Sequence, residues 1–62
     1  MSKLYLLTYK HENGNVISQF LVTARTREGA MERVEQKYNQ EYYSMTCKLV
    51  CQTNDDFLEQ VT

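Results

Sequence analysis

Proline and tryptophan are absent from the 62 residues, glycine and cysteine occur twice each, and histidine once. Each shortage removes a class of function. Without proline, low-complexity tract, repeat or linker, the chain reads as one domain, 1–62. A domain of this size buries only ~60% of its unfolded surface, so a deep substrate pocket is not expected. The single histidine, His11, sits beside a turn signal, far along the chain from Cys47 and Cys51, and no base stands at a local spacing that would activate a thiol. A zinc site takes about four ligands, and these three side chains fall short without any finger spacing. Neither Gly14 nor Gly29 belongs to a phosphate loop. The expectation is a protein that is not an enzyme and needs no metal or cofactor.

No apolar run is long enough to cross a bilayer, and Met1-Ser2-Lys3 leads straight into a strand pattern without the small-residue cleavage site of a signal peptide. A soluble, cytoplasmic protein is expected. Cys47 and Cys51 lie ~13 Å apart in an extended segment, too far to bridge, and read as reduced core thiols. Seven basic against eight acidic side chains leave a net charge of −1, which gives no long-range attraction for a phosphate backbone.

What is present is periodicity. Leu4 to Lys10 and Val16 to Ala24 read as strands joined through Asn13-Gly14, a pair that favours tight hairpin turns because both residues tolerate positive φ. A two-residue loop sets Glu12 opposite Asn15, Leu7 opposite Phe20, Leu6 opposite Leu21 and Tyr5 opposite Val22. One face then carries Tyr5, Leu7, Tyr9, Val16, Phe20 and Val22; the other carries Leu4, Leu6, Ile17 and Leu21 among Thr8, Lys10, Gln19 and Thr23. Thr26 is an N-cap residue for a helix over Arg27 to Asn39, where Ala30, Val34 and Tyr38, with Met31 beside them, form an apolar stripe. Tyr42 to Gln52 alternates as a third strand, with Tyr43, Met45, Cys47, Leu49 and Cys51 inward. The first strand is apolar on both faces and is therefore central, giving the order two, one, three. Thr53 to Asp56 resembles a capping box, so Phe57, Leu58 and Val61 are expected on a short C-terminal helical turn. The fold class is α+β: a three-stranded antiparallel sheet with one helix packed on one face.

Two surface features stand out. Glu28, Glu32 and Glu35 are neighbours on the helix without a lysine four residues after any of them, so the like charges repel by ~0.2–0.5 kcal/mol per pair. Such an anionic stripe is a docking surface for Arg or Lys side chains of a partner, where charge pattern sets speed and selectivity. Tyr42 alternates outward, towards Lys48, and is an interface anchor. The candidate partner-binding set is Glu28, Glu32, Glu35, Tyr42 and Lys48. Five cations, Lys3, Lys10, Arg25, Arg27 and Lys48, form the basis for an alternative, a small nucleic-acid-binding module. A self-associating homodimer, paired through the edge of the second or third strand, is a further alternative.

The run Ala24, Thr26, Glu28, Ala30, Glu32, Val34, Glu35 and Tyr38, followed by Tyr43, Met45, Thr46 and Cys51, resembles the small podophage inhibitors of bacterial RNA polymerase. The resemblance covers roughly the latter half of the chain. It implies a hairpin, one helix and a third strand, and a protein acting in the host cytoplasm by contact with the polymerase. That family grips its target with two third-strand arginines and an acidic patch. Cys47 and Leu49 stand where the arginines would fall, which leaves Glu28, Glu32 and Glu35 as the part that carries over. Some phage anti-CRISPR proteins share the alanine, threonine and glutamate rhythm at the helix start, making a defence effector with a basic groove the second expected target.

Overall fold

The computed structural model describes every residue from Met1 to Thr62. Strands β1 (Ser2–Lys10) and β2 (Val16–Ala24) are followed by helix α1 (Arg27–Tyr38) and strands β3 (Ser44–Thr53) and β4 (Leu58–Gln60). The class is α+β, and the antiparallel sheet has four strands in the order β3-β1-β2-β4 rather than the three expected. β1 is flanked on both sides, as its two apolar faces require.

The body of the hairpin pairs as expected, with Tyr5 opposite Val22, Leu6 opposite Leu21 and Leu7 opposite Phe20. Two irregularities cancel to produce this. The loop holds three residues: the His11 N–H donates to the Asn15 carbonyl at 2.8 Å, the Gly14 N–H donates back to the His11 carbonyl at 3.0 Å, and Gly14 adopts φ 90°. Asn15, not free to face Glu12, therefore faces His11. A left-handed glycine closing a three-residue loop is a favoured hairpin solution, and it shifts the pairing by one, so Lys10 meets Val16. A bulge between Tyr9 and Lys10 then restores the register. The two residues around that bulge exchange faces relative to simple alternation. Val16 lies outward and 48% exposed, whereas Ile17 packs against the core.

Helix α1 starts where Thr26 Oγ1 accepts the Gly29 N–H at 3.0 Å and ends at Asn39, left-handed at φ 48°, whose N–H donates to the Glu35 carbonyl. Gly29 stands close under this cap: a β-carbon there would lie 3.3 Å from Thr26 Oγ1. The helix packs chiefly over β2, with β1 next to it. Ala30 and Val34 are fully buried against Tyr5, Leu7, Tyr9, Phe20 and Val22. Tyr9 meets Phe20 edge-on at 5.5 Å between ring centroids, and Tyr38 lies 4.6 Å from Phe20 on its other side.

The expected C-terminal helical turn is instead a strand. Thr53 Oγ1 accepts the Asp55 N–H at 3.1 Å, a local turn that redirects the chain instead of capping a helix. β4 then bonds along β2: Thr23 N–H to the Phe57 carbonyl at 2.9 Å and Val61 N–H to the Gln19 carbonyl at 2.8 Å. A helix would have left these β2 groups without protein partners; a strand satisfies them. Leu58 joins the helix-side core, and Phe57 is half-buried.

Thr23 is where β2, the helix and the C-terminal segment meet. Its hydroxyl donates to Asp56 Oδ1 at 2.8 Å and accepts from the Phe57 N–H at 3.0 Å. Arg33 donates to the Thr23 carbonyl at 2.6 Å and to Asp56 at 3.0 Å. The Thr23 hydroxyl first, and then Arg33, holds the Asp56 carboxyl below its ordinary 3.8. A lowered carboxylate pKa contributes stability above the unfolded value, and that contribution disappears as pH falls through the folded value. Thr23→Val is expected to cost ~1–3 kcal/mol in urea unfolding, since it strands the Phe57 N–H. Below pH 4 the wild-type urea midpoint should fall further than that of Asp56→Asn; parallel acid limbs would show that Asp56 is not tied down in solution.

Candidate functional site

Three flanks of α1 face three surroundings. Ala30, Val34 and Tyr38 point into the core. Arg33 reaches the β2 and β4 side. Glu28, Met31 and Glu35, at spacings of three and four, lie along the opposite flank, on the side of β3. The electrostatics agree with that placement. The Cys47 thiol on β3 is influenced by Arg27 and Glu28, and the Tyr9 hydroxyl by Glu35.

The three glutamates are exposed and none is ion-paired, because the chain's one salt bridge is Arg33 with Asp56. Glu32 accepts a hydrogen bond from Gln36 Nε2 at 3.2 Å, which leaves its charge uncompensated. Beneath this flank the inner side of β3 is only partly covered. Met45 and Cys47, opposite Tyr9 and Leu7, pack against the core from its margin, and Leu49, opposite Tyr5, remains 45% exposed. The result is a narrow apolar shelf with a carboxylate wall. Alternation alone marked these β3 residues as inward, and what it missed is the width of the cover. A helix is ~10 Å across, enough for two strands at ~4.8 Å spacing, so a third strand beside them stays open.

The two adjacent tyrosines trade the roles expected of them. The alternation places Tyr42 outward near Lys48, but its ring meets Tyr9 at a 59° tilt, 4.7 Å between centroids, on the helix side while staying 43% exposed. Tyr43, expected inward, is 69% exposed. The strand begins only at Ser44, so the period of two does not extend to either residue. Lys48 pairs with Leu6 and lies on the face away from the helix. The candidate set therefore divides: Glu28, Glu32, Glu35 and Tyr42 belong to the helix side, and Lys48 does not.

The second half of β3 also departs from alternation. Tyr5 faces Leu49 but Leu4 faces Cys51, so Val50 is an extra residue in a bulge and Cys51 turns to the far face, where it is exposed. Cys51 is not a core thiol. His11 on the hairpin loop, Cys47 on the helix side and Cys51 on the far face are three separate places. The cations divide as well. Lys3, paired with Ala24, lies at the end of the sheet that leads to Arg25 and Arg27, whereas Lys10 and Lys48 lie on the far face.

Two ionisable groups under the shelf are shifted. Burial, followed by Tyr42, Glu35 and Cys47, pushes the Tyr9 hydroxyl up to about 12. Burial first, with Glu28 adding and Arg27 opposing, raises the Cys47 thiol. A shallow depression next to Tyr42 is lined by His11, Glu12, Ile17, Glu41 and Tyr43, open to solvent and without a convergent donor set. No helix is long and apolar enough to cross a membrane.

The architecture defines a small α+β domain that presents an acidic helix flank beside a partly covered strand. No family model, curated protein or solved structure matches the chain.

A raised tyrosine pKa stabilises the fold fully below the unfolded value near 10.0 and loses that contribution as pH rises through about 12. Wild-type urea midpoints should therefore drop over this interval, and Tyr9→Phe should drop less; identical alkaline limbs would remove Tyr9 from a buried position. Thiol labelling at neutral pH should be biphasic, with Cys51 fast and Cys47 slow, and Cys51→Ser should abolish only the fast phase. Equal rates would contradict the bulge that separates the two cysteines.

Proposed function

We propose that the protein acts stoichiometrically, without catalysis, by laying the Glu28, Glu32 and Glu35 flank and the β3 shelf against a cationic groove of a larger bacterial protein machine. The observation that carries this is the absence of any ion pair to the three helix glutamates, together with exposed Leu49 and half-buried Met45 and Cys47 on the strand beside the Glu28 and Glu35 flank. Charge on that rim steers encounter and selects partners, while the apolar strip supplies area that water leaves on docking. Tyr42, held by Tyr9 and still 43% exposed, is the anchor at one end.

In keeping with the podophage resemblance, bacterial RNA polymerase is the first target, and an anti-CRISPR role at a defence effector is the second. Occupation of a groove that nucleic acid enters is the proposed mode of inhibition, in the host cytoplasm. The direct nucleic-acid reading has less support, since its five cations lie in two separate groups.

Binding to purified RNA polymerase, measured by titration at low and moderate salt, tests the proposal. Glu28→Lys, Glu32→Lys and Glu35→Lys combined should weaken it ~10–100-fold, with a loss of salt dependence. Asp55→Lys with Glu59→Lys, on the β4 side of the sheet and away from Tyr42, controls for added positive charge and should retain affinity. Unchanged affinity of the triple variant would reject the flank as the contact surface.

A further inference from the structure

The face of the sheet away from α1 carries no second layer. Across its middle the register runs Lys48 on β3, Leu6 on β1, Leu21 on β2 and Glu59 on β4. A cation stands at one edge, a carboxylate at the other, and two leucines between them. We infer that this face binds a second copy of the same chain, forming a face-to-face homodimer in which Lys48 of each protomer meets Glu59 of its partner.

The symmetry follows from the row itself. A two-fold axis lying between the faces and parallel to the strands maps β3 onto β4 and β1 onto β2. Lys48 then sits over Glu59, and Leu6 over Leu21, in both directions, which is the self-complementarity that an isologous interface needs. Within one chain the two charges are three strand spacings apart, ~14 Å, too far to pair. Neither takes part in the chain's one salt bridge.

Covering the middle of this face would orphan few polar groups, and Lys10 lies at its hairpin end. Gln19 Nε2 already donates to Thr8 Oγ1 at 3.0 Å, and the Thr23 hydroxyl already serves Asp56 and Phe57. Thr8, Thr23 and Leu4 are buried on this face within the single chain, which leaves half-buried Leu6, Leu21 and Phe57 and, towards the ends, exposed Val16 and Cys51 for association to cover. Two sheets stacked in this way lie ~10 Å apart with strands within ~30° of alignment. This differs from pairing through strand edges. The C-terminal segment occupies the β2 edge from Gln19 to Thr23, and β3 carries a bulge and a lysine, both of which discourage edge pairing. The helix flank stays outward on both copies, so the dimer does not depend on the proposed partner surface.

Sedimentation equilibrium over micromolar to millimolar protein tests the dimer. Lys48→Glu and Glu59→Lys each convert two attractive contacts into two repulsive ones and should weaken dimerisation about tenfold, while the double exchange restores it. Both positions are exposed, so the variants should fold as the wild type does. Monomer at every concentration overturns the inference. A dimer sensitive to Lys48→Glu but indifferent to Glu59→Lys points to β3 edge pairing and overturns it equally. Retained affinity of the Lys48→Glu monomer for RNA polymerase would separate this face from the proposed docking flank.

Discussion

A single helix ~10 Å wide can cover about two strands of an antiparallel sheet, and nearly everything distinctive about this protein follows from that shortfall. α1 settles over β2 and the near side of β1, where Phe20, Val22, Leu7 and Tyr9 are the largest fully buried side chains of the sheet. β3 is left at the margin with Met45, Cys47 and Leu49 only partly shielded. The opposite face has no helix at all. Part of the apolar side-chain set of these 62 residues therefore lies at the surface. One such surface is walled by carboxylates and the other is crossed by a lysine-to-glutamate row; the two differ in what they can meet.

The C-terminal segment answers a related problem at the other side of the sheet. β2 would otherwise end the sheet with open backbone groups, and β4 pairs with them along Phe20, Leu21 and Val22. Three strand residues hold weakly by themselves. Thr23, Arg33 and Asp56 supply the anchoring, joining β2 and the helix to the turn before β4 through short hydrogen bonds. Arg33 thus has a structural ion-pair partner, while Glu28, Glu32 and Glu35 have none. That asymmetry separates the structural side of the helix from the side free for contact.

Much of the fold is legible in residue order because it depends on local chemistry. Thr26 before a stripe of Ala30, Val34 and Tyr38, and two alternating segments around Asn13-Gly14, need only nearby atoms to express their preferences. Tyr5, Leu7, Tyr9, Phe20, Val22, Ala30 and Val34 enclose the core for that reason. Errors gather where parity fails. The bulges after Tyr9 and after Leu4 each move one residue out of phase, which exposes Val16, brings Ile17 in and sends Cys51 to the far face. Tyr42 and Tyr43 lie just before the strand, where no alternation applies. The Thr53 hydroxyl and Asp56 carboxylate look like a helix cap because the motif reports capacity for hydrogen bonding and does not name the partner.

By itself, then, the amino-acid order determined β1, β2, α1 and β3, the centrality of β1, the helix stripe and the exposure of Glu28, Glu32 and Glu35, all consequences of period, propensity and charge over short separations. Tertiary structure alone decided that β4 is a strand, that Tyr42 and Lys48 occupy different sides, and that Lys48, Leu6, Leu21 and Glu59 share one row. Those outcomes depend on which open backbone edge lies within reach of the tail and on where bulges reset the register. Both are set by pairing between distant segments, whose energies exist only once the sheet has formed.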